Sequence, residues 1–100
     1  SLMGKLNQTS PRLSNFSIKN IYPNPFNTET TVSIQAHENI RPTLQLFDLK
    51  GNLLKENIYR LIGNKNHFIR LSLDTYPTGT YFVRVVSRSH TTTKKIQLLK

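Results

Sequence analysis

A chain of 100 residues with 14 Lys and Arg against 5 Asp and Glu carries a net charge of +9 and has no cysteine, which excludes a disulfide framework and thiolate metal sites. One domain accommodates this length, burying roughly 60–70% of the surface of its unfolded form. No apolar run approaches the roughly 18 residues that span a bilayer, so the chain is not membrane-spanning, and the opening SLMGKLNQTSPRL lacks the apolar stretch of a secretory signal. Residues 1–15 read as a polar lead-in of the kind that joins domains, with Ser1-Leu2-Met3 a vector-derived remnant; an exported form would carry its N-terminal address elsewhere. From residue 16 the pattern has period two. FSIKNIY (16–22) reads as the first strand and TTVSIQA (30–36) as the second, with Val32, Ile34 and Ala36 alternating against Thr31, Ser33 and Gln35. TLQLFDL (43–49) turns through KGN, with Gly51 available for a positive φ, into LLKENIYRL (53–61). HFIRLSL (67–73) faces Ile69, Leu71 and Leu73 inward, TYFVRVV (80–86) does the same with Tyr81, Val83 and Val85, and TTTKKIQLL (91–99) closes with Ile96 and Leu98. About seven short strands without helical periodicity predict an all-β fold, an antiparallel immunoglobulin-like sandwich over residues 16–100.

Between the first two strands lies NIYPNPFN (20–27). Pro23 and Pro25 each fix φ and lack an N–H, while Asn24, preceding a proline, is pushed toward extended geometry, so the segment is a stiff corner. Tyr22 and Phe26 flank it with apolar mass. It is either pinned against a core or offered to a partner. No acid follows Asp74, whereas Arg84, Arg88, Lys94, Lys95 and Lys100 do, giving a basic C-terminal third suited to acidic partners.

Catalytic chemistry finds little support. The acids are scattered singly, and His37, His67 and His90 lie in separate turns or strand starts. No nucleophile elbow or phosphate-cradling loop appears, so neither enzymatic activity nor a metal or cofactor is expected. Asn7-Gln8-Thr9 and Asn15-Phe16-Ser17 match the glycosylation sequon, which occurs often by chance. The charge would neutralise several phosphates, and Phe68 with Arg70 and Phe82 with Arg84 share predicted faces, but none of the recognised nucleic-acid signatures is present and no nucleic-acid partner is expected.

YPNPF (22–26) after an N-terminal strand, Gly79-Thr80-Tyr81 before the penultimate strand, and a closing strand opened by Lys94-Lys95 and ended by Lys100 together resemble the type A C-terminal sorting domain of the type IX secretion system. LQLFDLKGNLL also looks like that family's hairpin, and the resemblance covers about residues 18–100. It implies a non-catalytic signal at the end of larger exported proteins of Bacteroidota-type bacteria, read by the outer-membrane translocon. It further implies removal by a sortase-like signal peptidase at a site within residues 1 to about 17, with cargo released or joined to anionic lipopolysaccharide. By the same resemblance Pro23, Asn24 and Pro25 match the first sorting motif, Gly79 and Tyr81 the second, and Lys94, Lys95 and Lys100 the terminal basic one.

Physically, Gly79 is expected to permit a backbone conformation or close approach that a Cβ would block, letting Tyr81 enter the core with its hydroxyl bonded near the sandwich end. Both Pro-Asn-Pro and Gly-x-Tyr can be read as fold maintenance. The lysines suit an acidic receptor, or protection of an edge strand against aggregation. The final strand reads as a detachable recognition element, so that trimming back through Lys94 removes sorting and leaves the sandwich largely folded. An open edge would also allow a weak dimer. A rival function is an accessory adhesion or carbohydrate-binding module with Tyr59, Phe47 and Phe82 as an exposed aromatic strip.

Overall fold

The computed structural model describes residues 14–100. Its strands are β1 (Phe16–Tyr22), β2 (Glu29–Ala36), β3 (Thr43–Asp48), β4 (Leu53–Ile58), β5 (Lys65–Ser72), β6 (Gly79–Val86) and β7 (Thr91–Leu98), and no helix occurs among the described residues. They form a three-stranded sheet, β1-β2-β5, and a four-stranded sheet, β4-β3-β6-β7, antiparallel throughout. This is an immunoglobulin-like order with the fourth strand added to the larger sheet.

The period-two pattern explains the layers. Val32, Ile34 and Ala36 from β2, Ile69 and Leu71 from β5, Leu44 and Leu46 from β3, Val83 and Val85 from β6 and Ile96 and Leu98 from β7 all meet in one core. Phe16, Ile34, Leu46, Ile96 and Leu98 are completely shielded from solvent. Truncating any such side chain to alanine costs about 2–5 kcal/mol through lost transfer energy and the cavity left behind.

Turn chemistry sets the β3–β4 hairpin. Asp48 Oδ1 accepts the backbone N–H of both Lys50 and Asn52 at 2.9 Å, Oδ2 accepts the Asn52 side-chain amide at 2.9 Å, and Gly51 takes φ +89°. The Asn52 side-chain and backbone donors, helped by the N–H groups of Lys50 and Gly51, hold the Asp48 carboxyl below the usual carboxylate range. A lowered folded value means that the stabilisation is present above the unfolded value of about 3.9 and is lost as pH falls through the folded one. Thermal melts between about pH 6 and 2 should therefore show a steeper acid loss for the native chain than for Asp48→Ala; parallel profiles would remove Asp48 as a contributor.

The sequence pattern carried the fourth strand to Leu61, but the regular ladder stops at Ile58. Pro42 has no N–H to give. Tyr59 N–H still bonds the Pro42 carbonyl at 3.0 Å, and Ile40 and Leu61 exchange two bonds of 2.9 Å, so the pairing resumes in the same register beyond the interruption. The next connection crosses close to residues 38–39. A Cβ added at Gly63 would lie 2.6 Å from Glu38 Cα, and Gly63 N–H donates to Asn39 Oδ1 at 2.8 Å.

Candidate functional site

Pro-Asn-Pro and Gly-x-Tyr, far apart in sequence, converge on the C-terminal half of β7, the strand that also carries Lys94 and Lys95. On its inner flank β7 pairs with β6, setting Tyr81 opposite Ile96 and Gly79 opposite Leu98. On its outer flank sits the proline corner, whose Tyr22–Pro23 and Asn24–Pro25 peptide bonds are both cis. Phe26 lies parallel to Leu98, donating its N–H to Gln97 O at 2.9 Å and accepting Leu99 N–H at 2.8 Å.

Asn24 repeats this pattern two residues earlier with its side chain. Its Nδ2 donates to Lys95 O at 3.3 Å, and its Oδ1 accepts Gln97 N–H at 2.9 Å. In a parallel ladder a residue donates to the position before its partner and accepts from the position after it, as Phe26 does about Leu98. The Asn24 carboxamide makes the same two bonds about Ile96, standing in for a peptide group at a point between two prolines. Aspartate has no N–H to offer there, and glutamine places its amide one methylene further out.

The corner is also anchored from behind. Phe26 is buried, and the buried Thr30 hydroxyl donates to Pro23 O at 2.6 Å. The corner thus closes the seam where the flanking edges β1 and β7 meet, and it covers the β7 edge from Lys95 to Leu99. Because Ile96 and Leu98 are core residues held on both flanks, the final strand is not detachable. Trimming through Lys94 removes part of the core, which corrects the expectation that the sandwich survives it.

Tyr81 behaves as anticipated from its position. It is buried, and its hydroxyl donates to Pro77 O at 2.6 Å, four residues upstream at the entry to β6. This is the tyrosine corner of immunoglobulin-like sandwiches. Burial pushes the phenol pKa up, with the charge of Asp48 and the Tyr76 phenol adding to it. A raised folded value makes the stabilisation fully present below the unfolded value of about 10 and lost as pH rises through the folded one. Tyr81→Phe should lower stability by about 1–2 kcal/mol, a fall in melting temperature of roughly 4–16 °C, and should flatten the alkaline loss between about pH 9 and 12. An unchanged melt would remove the hydroxyl bond from the fold's support.

Gly79 does not behave as anticipated. Its φ is not positive, and an added Cβ would meet only the Tyr81 ring at 3.9 Å, an ordinary contact, so neither backbone conformation nor close approach requires glycine there.

The terminal lysines separate into two groups. Lys94 and Lys95 are exposed and, among the described residues, form no ion pair or side-chain hydrogen bond. With Lys19 they border a shallow cavity of about 160 Å³ at the β1–β7 seam, where a register shift between Ile18 and Asn20 opens the first strand. Lys100 lies beyond the end of the strand and is engaged. Its backbone N–H donates to Thr78 Oγ1 at 3.0 Å, and its ammonium donates to the Asp74 carbonyl.

Other sequence readings resolve as follows. Asn15 is buried, and its Oδ1 accepts Ser87 Oγ–H at 2.8 Å, so the folded domain withholds that sequon, while Asn7 lies outside the described residues. Phe47 and Phe82 are cross-strand neighbours on the outer face, with the Arg84 guanidinium 4.6 Å over the Phe47 ring, but Tyr59 packs against the core and does not extend them into a strip. Among the described residues no cluster of His, Asp and Glu is arranged to hold a metal, and no helix is long and apolar enough to cross a membrane.

The fold is thus an antiparallel immunoglobulin-like β-sandwich whose last strand is covered over its C-terminal half by a proline corner. The family model of the secretion system C-terminal sorting domain matches residues 20–98, and the chain belongs to that family. Type IX sorting domains mark proteins exported through the outer membrane to the cell surface or the extracellular space, and the family is not catalytic. No curated protein sequence matches the chain.

Proposed function

We propose that the folded sandwich is read by the type IX translocon through the uncovered half of β7, and that the domain has no catalytic activity of its own. Antiparallel alternation turns the N–H and C=O of Lys95 and Gln97 toward the corner, and by the same alternation those of Thr91 and Thr93 face outward, where no strand among the described residues pairs with them. The observation that carries the reading is the pair of unpaired ammonium groups, Lys94 and Lys95, beside this open edge. An extended acidic segment of the translocon adds there as a strand, its main chain meeting the edge and its carboxylates meeting the lysines. Pro23, Asn24, Pro25 and Tyr81 serve the signal by holding β7 in place and Gly79 adds only its backbone pairing opposite Leu98, while Lys94 and Lys95 are read directly. A sortase-like signal peptidase then cuts before the folded domain. A cut preceding residue 14 fits the burial of Asn15 and Phe16, and cargo is released or joined to anionic lipopolysaccharide.

The test is a fluorescent cargo with an export signal, fused to this chain in a Bacteroidota host. Lys94→Glu with Lys95→Glu should trap the fusion in the periplasm while the isolated domain keeps its native melting temperature, because exposed charges of this kind contribute only about 0–1 kcal/mol each. Undiminished surface delivery of the doubly reversed fusion would refute the reading.

A further inference from the structure

At the end of the sandwich away from Lys100, three arginines meet around a cleft of about 970 Å³: Arg41 before β3, Arg60 after β4 and Arg88 in the β6–β7 turn. They come from three adjacent strands of one sheet, in the order β4, β3, β6. Among the described residues none forms an ion pair or side-chain hydrogen bond, and Glu38, the single carboxylate in the lining, is bonded to none of them.

The register makes this more than a scattering of surface charge. Ile40 and Leu61 exchange both backbone bonds, and Tyr59 N–H bonds Pro42 O, so Arg41 and Arg60 stand opposite each other as the non-hydrogen-bonded pair between them. That is the position where facing side chains are closest, and like charges there are destabilising. The fold sets two arginines at directly opposed positions, adds a third from Arg88 to the same lining, and bonds none of them to Glu38. Ile58 and Ile62, which also line the cleft, are 65% and 52% exposed, large apolar side chains left at the rim of a cationic site.

We infer that this cleft binds an oxyanion carried on a compact body with an apolar face, such as a sugar phosphate. The guanidinium forks take the phosphate oxygens bidentately, and Ile58 and Ile62 take the ring. The volume fits a ligand of that size rather than a bare ion. The site lies apart from the β1–β7 seam and uses none of its lysines.

Titration of the 15N-labelled chain with glucose 6-phosphate, inorganic phosphate and glucose tests this. Glucose 6-phosphate should bind saturably with amide shifts at Arg60, Ser87 and Arg88, more tightly than inorganic phosphate, and glucose should not bind. Arg41→Gln and Arg60→Gln should each weaken it about tenfold without altering the fold, since neither side chain has an internal partner. Lys94→Gln with Lys95→Gln should leave the affinity unchanged. Absence of saturable binding at low-millimolar concentration, equal affinity for inorganic phosphate, or loss of binding in the lysine variant in place of the arginine ones would overturn the assignment.

Discussion

Deleting Lys94–Lys100 should unfold the domain. The deletion removes Ile96 and Leu98, both completely buried, at about 2–5 kcal/mol each. It also strips Asn24 and Phe26 of their partners at Lys95, Gln97 and Leu99, and exposes the flank of Tyr81 and Gly79. Against a total stability of about 5–15 kcal/mol for a domain of this kind, the sum leaves little or no folded population. Circular dichroism of the deleted chain should show no cooperative melt, and Leu98→Ala alone should lower the midpoint by roughly 10–25 °C. A cooperative melt near the native temperature would mean that β7 is an appendage. One consequence is practical: loss of secretion on trimming cannot distinguish a missing signal from a missing fold, and charge reversal on an intact strand can.

Gly63→Ala should be the most damaging single methyl addition among the glycines. The new carbon would stand 2.6 Å from Glu38 Cα and 2.8 Å from Glu38 C, both backbone atoms that cannot swing aside. Relief requires the 38–39 segment to separate from the turn, which threatens the 2.8 Å bond from Gly63 N–H to Asn39 Oδ1. The expected cost is about 2–3 kcal/mol, a midpoint lowered by roughly 10–20 °C. Gly79→Ala is the matched control, and differential scanning calorimetry should find it neutral or slightly stabilising, since glycine within a strand is itself unfavourable. Equal effects of the two substitutions would contradict the packing described around Gly63.

The contrast between these glycines shows what the sequence makes legible. Local patterns were transparent: alternation located the strands and assigned the inward faces of β5 and β6 correctly, because a half-buried strand writes its burial at every second residue. The Gly51 turn was legible for the same local reason. Features that depend on a distant partner were not. Gly63 is required by a backbone 25 positions earlier, and Asn24 acts on carbonyl and amide groups 71 and 73 positions later. Gly79 invited a steric explanation that its surroundings do not supply. The terminal lysines read as one basic cluster, yet Lys100 is tied to the 74–78 loop and only Lys94 and Lys95 are free.

The candidate site was legible as a set of residues and opaque as an arrangement. Pro-Asn-Pro and Gly-x-Tyr were each recognisable, but nothing local indicated that they flank the same two residues of the last strand. Asparagine between prolines makes physical sense only once that neighbour is known. The prolines deny the chain backbone N–H groups, and the side-chain amide restores one donor and one acceptor at the spacing the β7 edge requires.

Amide hydrogen exchange at Gln97 measures this latch most directly. Its N–H points outward from an edge strand and is covered by Asn24 Oδ1 alone. In the native chain it should exchange slowly, as a core amide does. Asn24→Ala should speed its exchange by at least about tenfold, while amides in the central ladder between β3 and β6 keep their protection. Fast exchange at Gln97 in the native chain, or protection that survives Asn24→Ala, would contradict the joining of the proline corner to the final strand.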